Sequence, residues 1–175
     1  MMMTIRTATL ADRAVLTEFG RRTFNEAFAA QNTAEDMQMY LDAAFNESQQ
    51  TVELTDPDRL TLLAEFERAV VGYAQIRRGD PPPCVSERES VELVRLYVDR
   101  PFQSRGVAQR LLQSAQDAAA ARARGIWLGV WEQNPRAIAF YKKCGLAVVG
   151  SHEFCLGNDR QTDLIMAKPL WPAAD

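Results

Sequence analysis

A glutamate stands inside a run that is otherwise largely apolar. If Val91–Val98 is extended, Val91, Leu93, Arg95 and Tyr97 fall on one face, and Glu92, Val94, Leu96 and Val98 on the other. Apolar side chains on both faces predict a central strand covered on both sides. Glu92 then has two readings. It lies at the exposed start of the strand, or it is a carboxylate of raised pKa at the mouth of a cleft, suited to general-base work. Directly after this run comes Gln103-Ser104-Arg105-Gly106-Val107-Ala108, opening a helix. A strand, a glycine turn and a helix N-terminus together make an anion site, because free backbone N–H groups and the helix dipole both favour phosphate. Gly106 lets a ligand approach the backbone closely. The loop lacks both the Gly-Lys-[Ser/Thr] ending of an ATP loop and the three glycines of a dinucleotide fingerprint, so alone it reads equally as an ordinary strand–helix turn. The third segment is Trp131–Leu146. There Asn134-Pro135 supplies an N-cap and an N1 proline. Tyr141 is either core packing or a proton donor to a leaving group.

These groups need elements to hold them. A first strand is predicted at Thr4–Thr7. Thr9-x-x-Asp12 gives a capping-box start to a helix carrying Val15, Leu16, Phe19, Thr23, Phe24 and Phe28 at helical spacing. Thr33-x-x-Asp36 opens a second helix, and Glu47–Leu54 a short third piece. Leu60–Phe66 and Val70–Ile76 read as strands around a tight turn at Glu67–Ala69. Arg77–Ser90, with Pro81–Pro83, reads as an exposed loop within a long hairpin connection. A helix over Gln109–Ala123, ended by Gly125, precedes a strand at Ile126–Trp131. A helix from Asn134 to about Cys144 is stopped by Gly145. Val148–Leu156 and Thr162–Lys168 form a closing hairpin around Gly157-Asn158-Asp159. The order predicts one α+β domain over residues 4–172, with helices on both faces of a mixed sheet.

Composition narrows the function. The 175 residues are 47% hydrophobic and 25% charged, with net charge −3. That is the balance of one soluble domain, without the basic excess of a nucleic-acid binder. No apolar run exceeds five residues, which excludes a membrane helix. Met1–Arg13 has no apolar export segment, and Cys84, Cys144 and Cys155 read as reduced thiols, so a cytoplasmic protein is expected. His152 is the only histidine, and the cysteines show no C-x-x-C spacing. No metal site is therefore expected.

The motifs taken together resemble a family. Glu92-x-x-x-Leu96-Tyr97-Val98, then Gln103–Ala108, then Asn134-x-x-Ala137-x-x-Phe140-Tyr141-x-x-x-Gly145 is similar to the pattern of the GCN5-related N-acetyltransferases (GNAT) over nearly the whole chain. WLGVWEQNPRAIAFYKKCGL, GSHEFCLG, QTDLIMAKPL and Thr23–Phe28 resemble more narrowly the PaiA-type spermidine/spermine acetyltransferases. Ala108 stands where glycine is frequent, and Cys144 and Leu146 replace bulkier apolar residues. The proline loop is particular to this chain.

The resemblance implies the GNAT fold: a mostly antiparallel sheet of roughly six or seven strands, with a V-shaped splay between two central parallel strands. It implies acetyl-CoA as co-substrate. Its pantetheine arm would lie along Leu96, Tyr97 and Val98. Its pyrophosphate would lie on Gln103, Ser104, Arg105, Gly106, Val107, Ala108 and Gln109, with Asn134 and Lys143 nearby. Glu92 would be the base and Tyr141 the acid beside the sulfur. The acceptor would be a primary amine of a polyamine or similar small amine, its distal charges held by Glu26 and Glu35, with Asp36 beside them. Two alternatives stay open: a peptide N-terminal acetyltransferase, and a non-catalytic acyl-CoA-binding module. A homodimer is also left open.

Overall fold

The computed structural model describes residues 3–170; the last two residues of the expected domain, 171 and 172, lie outside them. Seven strands form one sheet in the order β1-β2-β3-β4-β5-β7-β6. They are β1 (Thr4–Thr7), β2 (Arg59–Phe66), β3 (Ala69–Arg78), β4 (Ser90–Val98), β5 (Gly125–Trp131), β6 (Ala147–Leu156) and β7 (Asp159–Pro169). All neighbours are antiparallel except β4 and β5.

The helices follow their caps. Helix α1 (Arg13–Phe28) continues a 3₁₀ turn begun by the Thr9–Asp12 capping box. In α2 (Ala34–Ala44) the Thr33 hydroxyl accepts from the Asp36 amide, and in α3 (Glu47–Thr55) Asn46 accepts from Gln49. Helix α4 (Val107–Ala120) has the most strongly amphipathic sequence: Val107, Leu111, Leu112, Ala115 and Ala119 are buried against the sheet. Its core includes Ala74, Ile76, Val91, Leu93, Leu128, Val130 and Met166, and α5 (Pro135–Lys143) adds Ile138, Phe140 and Tyr141 to the same layer. The opposite face carries α1, α2 and α3 on an aromatic cluster. In it Phe24 stacks on Tyr40 at 4.5 Å and meets Phe45 and Tyr97 edge-on or tilted.

Three expectations need correction. First, β4 does not alternate simply. Gln75 pairs with Arg95 and Ile76 with Leu93, so Val94 is an unpaired bulge. The bulge reverses the faces along the strand: Val91, Leu93, Leu96 and Val98 share the α4 side, whereas Glu92, Arg95 and Tyr97 share the side of α1–α3. Second, α4 ends at Ala120, and Gly125 belongs to β5. A Cβ at Gly125 would lie 2.5 Å from Ser90 Oγ, so glycine there permits the β4–β5 approach rather than ending a helix. Third, the proline loop is folded back. The Arg88 guanidinium donates to the carbonyls of Pro81, Pro82 and Val85, and Val85 is buried against Trp127 and Ile165.

Candidate active site

The parallel pair is short. Ser90, Glu92 and the residue between them pair with Gly125 to Trp127, and from there β4 and β5 separate. The rest of β4, held on its other edge by β3 as far as Val98, therefore borders an opening in the sheet. A cavity of about 740 Å³ occupies this region. Its lining comes from four elements: Leu96 and Val98 of β4, the loop before α4, the first two turns of α5, and the last turns of α1.

The loop is built from the dihedral angles that its sequence permits. Ser104 has φ 61° and Gly106 φ 79°. Successive residues of opposite backbone hand turn their N–H groups toward one concavity, and the amides that open α4 add to it. Gly106 occupies the cap position of α4, and no side chain satisfies those amides. A Cβ at Gly106 would find only Gln109 Oε1, at 4.0 Å, so the space above the loop is open. Gln103 Nε2 donates to the Val98 carbonyl and fixes the loop to the end of β4.

Of the residues expected here, Leu96, Val98, Gln103, Ser104, Gly106, Ala108, Gln109, Asn134, Tyr141, Lys143 and Glu26 line the cavity. Asn134 also accepts from the Ala137 amide as the cap of α5. Tyr141 is half-buried, and desolvation, with a smaller contribution from Cys144, holds its hydroxyl pKa above the ordinary phenol value.

Five others lie elsewhere. Tyr97 points into the aromatic cluster and Val107 into the core. Arg105 sits over the Phe102 ring, 5.7 Å from its centroid. Glu35 is exposed in the first turn of α2, where its neighbour Asp36 accepts from the Asn158 amide of the β6–β7 turn. Glu92 is ion-paired with Arg77 at 2.5 Å and lines a different cavity, about 290 Å³, with Arg78, Asp80 and Trp127. The bulge at Val94 is the reason: it turns Glu92 to the other face from Leu96 and Val98. Two cationic residues of the main cavity, Arg100 and Arg136, were not singled out from the sequence. Each flanks a motif, on the strand–loop junction and after the Asn134 cap, and position relative to the motif was the available signal. Arg110, on the first turn of α4, donates to the Met3 carbonyl.

A backbone anion cradle at one end, an open strand edge and a half-buried phenol form a long slot. They suit a phosphorylated, strand-like ligand whose reactive end reaches Tyr141. Known proteins agree. The acetyltransferase (GNAT) family matches residues 21–146. An N-acetyltransferase from the pepI 3′ region of Lactobacillus delbrueckii subsp. lactis is 32% identical over 151 residues, 86% of this chain and 87% of that one. Among solved structures, the PaiA N-acetyltransferase of Thermoplasma acidophilum, in complex with coenzyme A, shares the fold with TM-score 0.76 at 20% identity, over 97% of this chain and 99% of that one. YncA of Salmonella typhimurium, a putative acetyltransferase with its cofactor acetyl-CoA, aligns with TM-score 0.66 at 25% identity, over 100% of this chain and 98% of that one. The chain belongs to the GNAT acetyltransferase family, and is an N-acetyltransferase whose acetyl donor is acetyl-CoA.

Proposed function

We propose that this enzyme acetylates a primary amine of a polyamine such as spermidine, by direct attack on the thioester. The observation that carries this reading is the single slot joining the phosphate cradle, Tyr141 and the Glu26 carboxylate. The residues present fit acetyl-CoA: the Ser104–Gly106 amides suit its pyrophosphate, Arg100, Arg136 and Lys143 its negative charge, and the open edge of β4 its pantetheine arm. The bound donor supplies an acyl carbon that an amine can attack. Tyr141 holds a proton for the departing thiolate.

Because the cradle is made of backbone, the shape of Gly106 outweighs the side chains around it. Gly106→Val places a branched side chain in the open space and forces a β-branched residue to a positive φ. It is expected to weaken CoA binding by roughly tenfold or more, a loss of at least about 1.4 kcal/mol. Ser104→Ala should change it far less. Calorimetric titration with CoA, beside a melting curve for each variant, checks this; equal affinities for Gly106→Val and the parent enzyme would contradict the cradle.

Glu26 sits at the acceptor end, where Arg22 bridges it at 3.5 Å and Asp99 at 2.7 Å. A polyamine must be held by its distal charges, away from the reacting nitrogen, because a carboxylate close to that nitrogen would favour its protonated form. Glu26→Gln is therefore expected to raise KM for spermidine more than it lowers kcat. The preference for spermidine over a matched alkyl monoamine should shrink as salt rises. Steady-state kinetics with both amines at low and high salt test the assignment. Equal kcat/KM for the two at low salt would remove the polyamine and leave the acetyltransferase.

A further inference from the structure

The face of the sheet that carries Arg95 and Tyr97 holds a titratable pair that the slot does not use. Cross-strand register places Trp131, Asp163 and His152 in one row across β5, β7 and β6, and Gly129, Ile165 and Gly150 in the next. Opposed residues share a face. His152 Nε2 stands 3.8 Å from Asp163 Oδ2. Both lean over Gly129, where a Cβ would lie 2.9 Å from the imidazole nitrogen and 3.1 Å from the carboxylate oxygen. Glycine at 129 is therefore what leaves room for the pair. Gly129 is also two residues beyond Trp127, the last position at which β5 pairs with β4. The pair thus lies over the stretch of β5 that borders the opening, on the face covered by α1 and α2.

The two groups differ in access. The Asp163 side chain is 13% exposed and that of His152 40%. Burial raises the Asp163 carboxyl pKa, and His152 opposes the rise. At 3.8 Å the two atoms are too far apart for a direct hydrogen bond. They leave a carboxylate oxygen and, in the appropriate tautomer, an imidazole nitrogen side by side as acceptors. The imidazole nitrogen can accept a proton from a primary ammonium, and the carboxylate beside it favours the imidazolium that results. The groups facing the pair are few: the Tyr40 phenol from α2, which feels Asp163 together with Arg95 and Glu53, uncharged Trp131 from β5, and Cys84 from the proline loop over Gly150.

We propose that His152 takes the proton from the acceptor amine, with Asp163 holding the imidazolium that forms. This rests on the amine acetyltransferase reading above. The ammonium gives one proton to His152 Nε2 and keeps the electron pair on nitrogen. That nitrogen bonds to the acyl carbon, and the carbon–sulfur bond breaks. The thiolate takes the Tyr141 proton, and the second proton lost by the amine nitrogen restores the Tyr141 phenol through solvent. His152 then releases its proton, so the products are the amide, the CoA thiol and one proton.

His152 is the only histidine, so its imidazole resonances are unambiguous. His152→Gln is expected to lower kcat with spermidine by about 10²–10⁴-fold. Its kcat/KM should lose the fall on acidification that a protonating base imposes, while CoA affinity stays near that of the parent. In the CoA-bound enzyme, added spermidine should move the His152 resonances, and Asp163→Asn should abolish that movement. A His152→Gln enzyme with the parent's kcat and acid limb would overturn the proposal, as would spermidine that leaves the resonances in place. Thiol release by the parent enzyme reads the acetyltransferase assignment separately, and the resonances report the site whatever the rate.

Discussion

Tyr141→Phe is expected to lower kcat by roughly 10²–10⁴-fold with CoA affinity nearly unchanged, the range for removing one positioned proton donor. The substitution deletes one oxygen and keeps the ring that packs with Ile138 and Phe140 on α5. In the proposed site, ground-state binding of the donor rests instead on the backbone cradle before α4. Burial keeps the phenol protonated well past neutral pH, which is the state a donor needs. Loss of rate should therefore be uniform across pH 6–9 rather than confined to one limb. Single-turnover thiol release, set beside calorimetric CoA binding, separates the two effects. A variant that turns over like the parent would remove Tyr141 from the chemistry.

The largest expected effect on stability comes from a different place. Arg95 reaches from the bulged β4 to Glu53 of α3, with contacts of 2.5 and 3.2 Å, and the two side chains are 8% and 3% exposed. Gln75 donates to the same carboxylate, and the guanidinium also lies 4.8 Å from the Phe45 ring centroid. Burial alone would raise the Glu53 carboxyl pKa, but the Arg95 charge and the hydrogen bonds outweigh it and hold it below its usual value. Glu53→Ala leaves a buried cation without its partner, which costs about 3–5 kcal/mol. In a domain of this size that lowers Tm by on the order of 10 °C. Because the folded pKa is depressed, the pair's contribution is complete above the unfolded carboxylate value of about 4.3. It is lost as pH falls through the folded value. The parent should therefore lose more Tm on acidification from pH 6 to pH 3 than Glu53→Ala does. Melting curves over that range give the answer; identical losses would show that the pair is energetically idle.

Much of the architecture was legible because it rests on local signals. The Thr9, Thr33 and Asn134 caps, the spacing along α4 and the glycine turn at 157 each act within one element. The site divides along the same line. The loop before α4 and the Asn134–Tyr141 segment came from contiguous motifs, and they meet in one cavity. Glu92 went astray because a single bulged residue, Val94, reverses the strand's faces, and no local pattern marks a bulge. The resemblance placed Glu35 with Glu26 at the acceptor, but the 3₁₀ turn between α1 and α2 separates them, and only Glu26 lines the cavity. His152 and Asp163 are eleven positions apart on a hairpin, and only strand register brings them over Gly129. The buried Glu53–Arg95 pair is likewise a product of tertiary packing, linking residues 42 positions apart.

The most direct test is thiol release from acetyl-CoA by the purified enzyme, with spermidine, a matched alkyl monoamine and a short peptide with a free N-terminal amine as acceptors under one set of conditions. Amine-dependent release that is fastest with spermidine, and that falls on Tyr141→Phe, is the predicted result. Release that favours the peptide would contradict the polyamine assignment, and no amine-dependent release with any of the three would contradict the transfer chemistry assigned to this slot.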